Sequence, residues 1–222
     1  MATTLQIRDS VALSVRSAPI VGVVRTASRD EAAVQARTLA ACGVELVEIT
    51  FTVPGASGLV RELLAGRASE GPPWFGMGTV TTAARAREAV AAGAEFIVTP
   101  NVSAEVAREA RQAGLFLVMG ALTPTEIVAA VEVGADLVKV YPLPPVGGPA
   151  YLSVIRGPLG DLPMLAAGGF GVEEIAAYRQ AGAIAFGLAA PLLGVGSGEA
   201  EARQRIQRAI TLARGAQSEE KR

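Results

Sequence analysis

Eight short apolar runs, each reached through a helix-like stretch, predict a parallel (β/α)8 TIM barrel with an extra N-terminal helix. The first observation behind this is a junction that recurs in ACGVELVEIT, AAGAEFIVTP, QAGLFLVMG, EVGADLVKVYP and QAGAIAFGLA. In each, a helix-period segment ends on a glycine (Gly43, Gly93, Gly114, Gly134, Gly182), where a helix needs a left-handed C-terminal residue. The second is the character of the runs behind those glycines. They are rich in Val, Ile, Leu and Phe and mostly unalternating, as strands covered on both faces should be. Three more runs of the same kind, PIVGVVR, WFGMGTV and MLAAGG, bring the count to eight.

In chain order, residues 1–18 read as the extra helix closing the bottom of the barrel. Arg8, Asp9 and Arg16 deny it the continuous apolar core of a signal peptide. The first strand is 19–25, and Ser28-Arg29-Asp30-Glu31 opens the helix after it. Strand 2 ends in LVEIT and strand 3 is 74–80, followed by a helix opening at Thr81-Thr82. Strands 4 and 5 precede helices that begin at Ser103-Ala104-Glu105 and at the capping-box pattern Thr123-Pro124-Thr125-Glu126. LVKVYP is strand 6, MLAAGG (164–169) strand 7 and IAFGLA strand 8. The expectation is a single domain over 1–222, with eight strand–helix units in 19–198, a C-terminal helix over 199–215 and a flexible tail at 216–222. An open doubly wound sheet is the alternative, but no strand is followed by G-x-G-x-x-G, so a dinucleotide site has no support.

Composition narrows the chemistry. The chain has no histidine and one cysteine, Cys42. Ser-His-Asp triads, Cys-His pairs and His-rich zinc sites are therefore excluded, as is an internal disulfide. Twenty basic against 21 acidic residues give a net charge of −1 with no basic block, which disfavours nucleic acid as a partner. The uncharged run between Arg179 and Glu199 is cut by Pro191 and five glycines, so no membrane span is expected. The cytoplasm is the default location.

In a barrel of this kind the chemistry gathers at the C-terminal ends of the strands. Candidates there are Arg25, Glu48, Thr50, Thr52, Thr79, Thr99, Lys139 and Tyr141, with the Gly168-Gly169 pair. Lys139 stands out because the only other lysine is Lys221 in the tail; arginine supplies every other basic side chain. Lysine can lose its proton and attack a carbonyl, which arginine cannot. The opposing possibility is a lysine that snorkels to solvent or forms a structural ion pair. Glu48 sits between Val47 and Ile49, in a run where a carboxylate needs a partner. Strands 2 and 6 share parity, so both side chains can face one barrel layer, as nucleophile and proton shuttle or as a buried salt bridge. Arg25 can hold an anion, and Gly168-Gly169 before Gly171-Val172-Glu173 can form an anion cup or a plain turn. Thr50, Thr52 and Thr79 have strand propensity as a competing reason to be there. Cys42, Trp74 and Phe75 read as packing.

These residues are familiar together. PIVGVVR, GVELVEITFTVPGA, GMGTV, GAEFIVTPN, GALTPTE, LVKVYP and the AGG at 167–169 resemble the 2-keto-3-deoxy-6-phosphogluconate / 4-hydroxy-2-oxoglutarate aldolase family, from about Pro19 to beyond Gly187. The resemblance implies a class I, Schiff-base aldolase that releases pyruvate, with Lys139 forming the imine and Glu48 moving protons. It implies that Thr79 holds the pyruvyl carboxylate and that Pro100 shapes the pocket. Some members carry an arginine at the position of Thr52; here the resemblance passes that role to Arg25. Members often have a threonine where Ala167 stands and a serine in the loop after strand 8, where Leu188 is expected. That leaves mainly the backbone N–H groups of Gly168, Gly169 and Gly187 for phosphate. No metal or other cofactor is called for, and a homotrimer is implied. Two other readings stay open on the residues alone: a phosphosugar isomerase or synthase with Lys139 as a point charge, and a catalytically silent barrel that binds a small acid.

Overall fold

The computed structural model describes residues 4–67 and 71–215. The strands are β1 (Ile20–Val24), β2 (Leu46–Thr50), β3 (Trp74–Gly78), β4 (Phe96–Val98), β5 (Phe116–Ala121), β6 (Leu137–Val140), β7 (Met164–Ala167) and β8 (Ala185–Ala189). All pair in parallel in chain order, and β8 returns to β1 to close the barrel. The helices are α1 (Thr4–Ser17), α2 (Arg29–Ala41), α3 (Ala56–Ala65), α4 (Ala83–Ala91), α5 (Ala104–Gln112), α6 (Pro124–Glu132), α7 (Gly148–Leu159), α8 (Ile175–Gln180) and α9 (Glu199–Arg214). The tail at 216–222, expected to be flexible, lies outside the described residues.

The helix ends follow from local chemistry. Ser28, Thr82, Ser103 and Thr123 each accept the backbone N–H three residues on, satisfying a donor that the first helical turn leaves orphaned. Glu126 completes a capping box by accepting the Thr123 N–H at 2.8 Å. The five glycines at the recurring junction all have positive φ, from 64° to 98°.

Alternation along the strands divides the buried apolar residues into two layers. Val47, Ile49, Phe75, Met77, Ile97, Leu117, Met119, Val138, Val140 and Phe186 face outward against the helices. Val21, Leu46, Trp74, Phe96, Phe116, Leu137 and Leu165 fill the interior. Val11 and Val15 of α1 belong to that inner cluster, so α1 plugs the N-terminal mouth. Trp74 Nε1 donates to Ser14 Oγ at 2.9 Å, and Arg8 pairs with Asp136 just before β6. Asp136 also accepts the Leu117 N–H at 2.8 Å, which ties α1 to the strand ends. With that mouth closed, the C-terminal rim is the open end.

The end of the barrel corrects one expectation. Leu188 is not in a loop after β8 but within the strand, 1% exposed and part of the outer layer. A strand's period of two turns it away from the interior, between inward-directed Gly187 and Ala189. No helix among the described residues is long and apolar enough to cross a membrane.

Candidate active site

Two charged side chains stand at inward positions of the barrel wall. Glu48 lies two residues after interior Leu46 on β2, and Lys139 two after interior Leu137 on β6. Glu48 is 1% exposed and Lys139 9%. No described carboxylate lies within 4.0 Å of Lys139 Nζ, so the two are not joined as a buried salt bridge. Lys139 Nζ instead lies 5.4 Å from the centroid of the Tyr141 ring. Glu48 Oε1 is buried and has no hydrogen-bond partner. An orphaned carboxylate oxygen in an apolar wall is costly, and such groups concentrate where a ligand or a moving proton meets them.

Backbone without side chains makes room for this pair. A Cβ on Gly78 would fall 1.9 Å from Glu48 Oε1 and 2.5 Å from its Cγ and Cδ, so the glutamate lies directly over this glycine at the end of β3. Gly120 pairs in register with Lys139, and a Cβ there would sit 2.3 Å from the Pro100 carbonyl carbon. Buried Thr99 fixes that turn: its hydroxyl donates to Asn101 O at 2.7 Å and accepts the Gly120 N–H at 3.1 Å. Pro100 is thereby held against the β5 wall beside Lys139. Sequence reasoning missed Gly78 and Gly120, because nothing near them in the chain shows what approaches.

The rim carries the remaining candidates. Thr50 donates to Val24 O at 3.1 Å and lies 2.7 Å from the Thr52 hydroxyl. With its proton committed to Val24, Thr50 must accept from Thr52, which leaves Thr52 lone pairs suited to a hydroxyl donor. Thr79, just past β3, has φ 59° and is the one non-glycine residue with positive φ among those described. A β-branched residue rarely adopts that region. Arg25 follows β1, is exposed, and makes no hydrogen bond or ion pair with a described residue.

Gly168 and Gly169 turn the chain after β7 with φ 134° and 97°. A Cβ on Gly168 would fall 2.8 Å from Leu143 N, so the loop after β6 packs tightly on it, while the space beside Gly169 is open. The helix beyond is less free than expected: the Gly171 N–H already donates to Glu174 at 2.7 Å. Gly187 lies inside β8, in register with Val21 and with Ala167, the residue just before this turn. Among the described residues, no three Asp, Glu, Cys or His side chains gather as a metal site.

Comparison with known proteins meets this geometry independently. Residues 11–209 match the family described as KDPG and KHG aldolase. The chain is 31% identical over 177 residues to 2-dehydro-3-deoxy-phosphogluconate aldolase of Haemophilus influenzae, covering 79% of this chain and 80% of that one. It is 28% identical over 179 residues to 2-dehydro-3-deoxy-6-phosphogalactonate aldolase of Escherichia coli K12, covering 80% and 86%. The solved native KDPGal structure superposes with a TM-score of 0.78 at 27% identity, over 88% of this chain and 94% of that one.

Proposed function

Because this chain belongs to the KDPG and KHG aldolase family, we propose that it is a class I aldolase that works through an imine at Lys139. Its substrates are 2-keto-4-hydroxy acids: 2-keto-3-deoxy-6-phosphogluconate, cleaved to pyruvate and glyceraldehyde 3-phosphate, and 4-hydroxy-2-oxoglutarate, cleaved to pyruvate and glyoxylate. The observation that carries this reading is the buried pair itself. Lys139 is free of any ion pair with a described residue, and Glu48 presents an unpartnered oxygen in the same barrel.

In the forward cleavage, the free amine of Lys139 adds to the C2 carbonyl. Glu48, as the acid, gives a proton to the departing hydroxyl, and water leaves. The resulting carboxylate of Glu48 takes the proton of the C4 hydroxyl. The C3–C4 bond then breaks, its electrons pass to the iminium nitrogen, and the aldehyde departs from the enamine. Protonation at C3 and hydrolysis release pyruvate and restore the amine. In this reading Thr79 and Arg25 hold the pyruvyl carboxylate, and Pro100 and Tyr141 wall the imine. Thr50 and Thr52 receive a substrate hydroxyl, and the Gly168-Gly169 turn faces the distal end. The working unit is a cytoplasmic homotrimer.

The iminium serves as the electron sink that other aldolases obtain from a divalent ion. Pyruvate release from either substrate should therefore proceed at an undiminished rate in EDTA. Activity lost in EDTA and restored by added metal would contradict the reading.

A further inference from the structure

Thr79 keeps a left-handed backbone, φ 59°, that a β-branched residue disfavours, so something outside its own side chain has to maintain it. Its carbonyl accepts Nη1 of Arg85 at 3.3 Å, and the same nitrogen reaches Thr81 Oγ1 at 3.2 Å. The Arg85 guanidinium also lies 5.3 Å from the centroid of the Phe51 ring, in the loop after β2. Phe51 in turn donates its N–H to Gly78 O at 2.8 Å, at the last residue of β3. Arg85 makes no ion pair with a described carboxylate. Its charge is spent on one carbonyl, one hydroxyl and one aromatic face. Its own backbone N–H binds the Thr82 cap at 3.2 Å, so the guanidinium projects from an anchored first turn of α4.

We propose that Arg85 is a positioning residue for the carboxylate site: it holds Thr79 in the left-handed conformation and clasps the rim loops after β2 and β3 together. The proposal rests on the reading of Thr79 as a ligand of the pyruvyl carboxylate. Arg85 touches no reacting atom in this scheme; it acts through the backbone of Thr79. Its removal belongs in substrate binding more than in the chemical step.

The test compares Arg85→Met, which keeps the aliphatic stem and loses the donors, with the unaltered chain. KM for 4-hydroxy-2-oxoglutarate should rise about tenfold while kcat changes by less than about threefold. Arg85→Lys, which keeps a cation over Phe51 and one donor, should fall between and guards against poor folding of the methionine variant. A second arm uses Thr79→Gly, because glycine enters the left-handed region unaided. In that background Arg85→Met should raise KM less than about twofold, since the conformation no longer needs the clasp. An unchanged KM in Arg85→Met, or the same factor in both backgrounds, would overturn the proposal. Borohydride trapping of pyruvate by the unaltered chain separates the two levels. Failure to trap would overturn the aldolase reading and this proposal with it, whereas normal trapping with an unchanged KM would overturn only the role of Arg85.

Discussion

An ionisable group inside an apolar strand is costly unless a partner or a function holds it there, and Glu48 on β2 and Lys139 on β6 are two such groups. The parity of β2 and β6 then directs both side chains inward. What could not be read locally is the room they occupy. Gly78 is needed because Glu48 from the neighbouring strand lies over it, and Gly120 because the Pro100 carbonyl does. Both reasons arrive from other segments, so Gly78 looked like any strand glycine. Two substitutions probe this scale. Glu48→Gln keeps the shape but not the basicity, and turnover should fall by about 10²–10⁴ with the fold retained. Gly78→Ala forces a methyl into the space of the Glu48 side chain. It should depress turnover to a comparable degree, with the reaction of Lys139 with pyruvate slowed but not abolished. Near-normal turnover in Glu48→Gln would leave the glutamate a structural group only.

Elements were legible where their causes are short-range. Four cap residues and five helix-end glycines act within one turn of the chain, and each does in the structure what its position predicts. Thr123 is the clearest case for measurement, and Thr123→Ala should cost about 1 kcal/mol, read as a lower urea midpoint at unchanged slope. Its partner Glu126 is held below the usual carboxylate range, first by the Thr123 N–H and then by the Leu122 N–H. A lowered value in the folded state means the carboxylate stabilises above the ordinary carboxyl pKa and loses that effect as pH falls through the lowered value. The stability deficit of Glu126→Gln, present at neutral pH, should therefore shrink on acidification through that range. A deficit independent of pH would contradict the charge-based account of this cap. The failure at element scale was the end of β8, where Leu188 was expected in the loop after the strand. The apolar run gave no signal of where pairing with β1 stops, and register, not composition, sends Leu188 outward.

For the whole molecule, the (β/α)8 closure was visible in the count and order of the runs, and α1 was visible as an extra helix. Its place at the bottom of the barrel was expected too, but the contacts that dock it were not legible, because Arg8–Asp136 and Ser14–Trp74 link residues far apart in the chain. Ser14→Ala leaves the buried Trp74 N–H without its partner and should cost about 1–3 kcal/mol of stability, checked by denaturant unfolding. Apolar side chains on α6 and α7 remain exposed, with Val128 at 40% and Val154 at 74%. Burial of such a face between subunits suits the proposed trimer, so light scattering should return three times the chain mass of 22.7 kDa, and a monomer would count against it. The covalent chemistry has the most direct test. Incubation with pyruvate and borohydride should add one reduced pyruvyl group per chain, and peptide mass analysis should place it on Lys139. Lys139→Arg, whose guanidinium cannot become a neutral nucleophile, should take up none. Modification confined to Lys221 or the N-terminal amine, or labelling that persists in Lys139→Arg, would contradict the account.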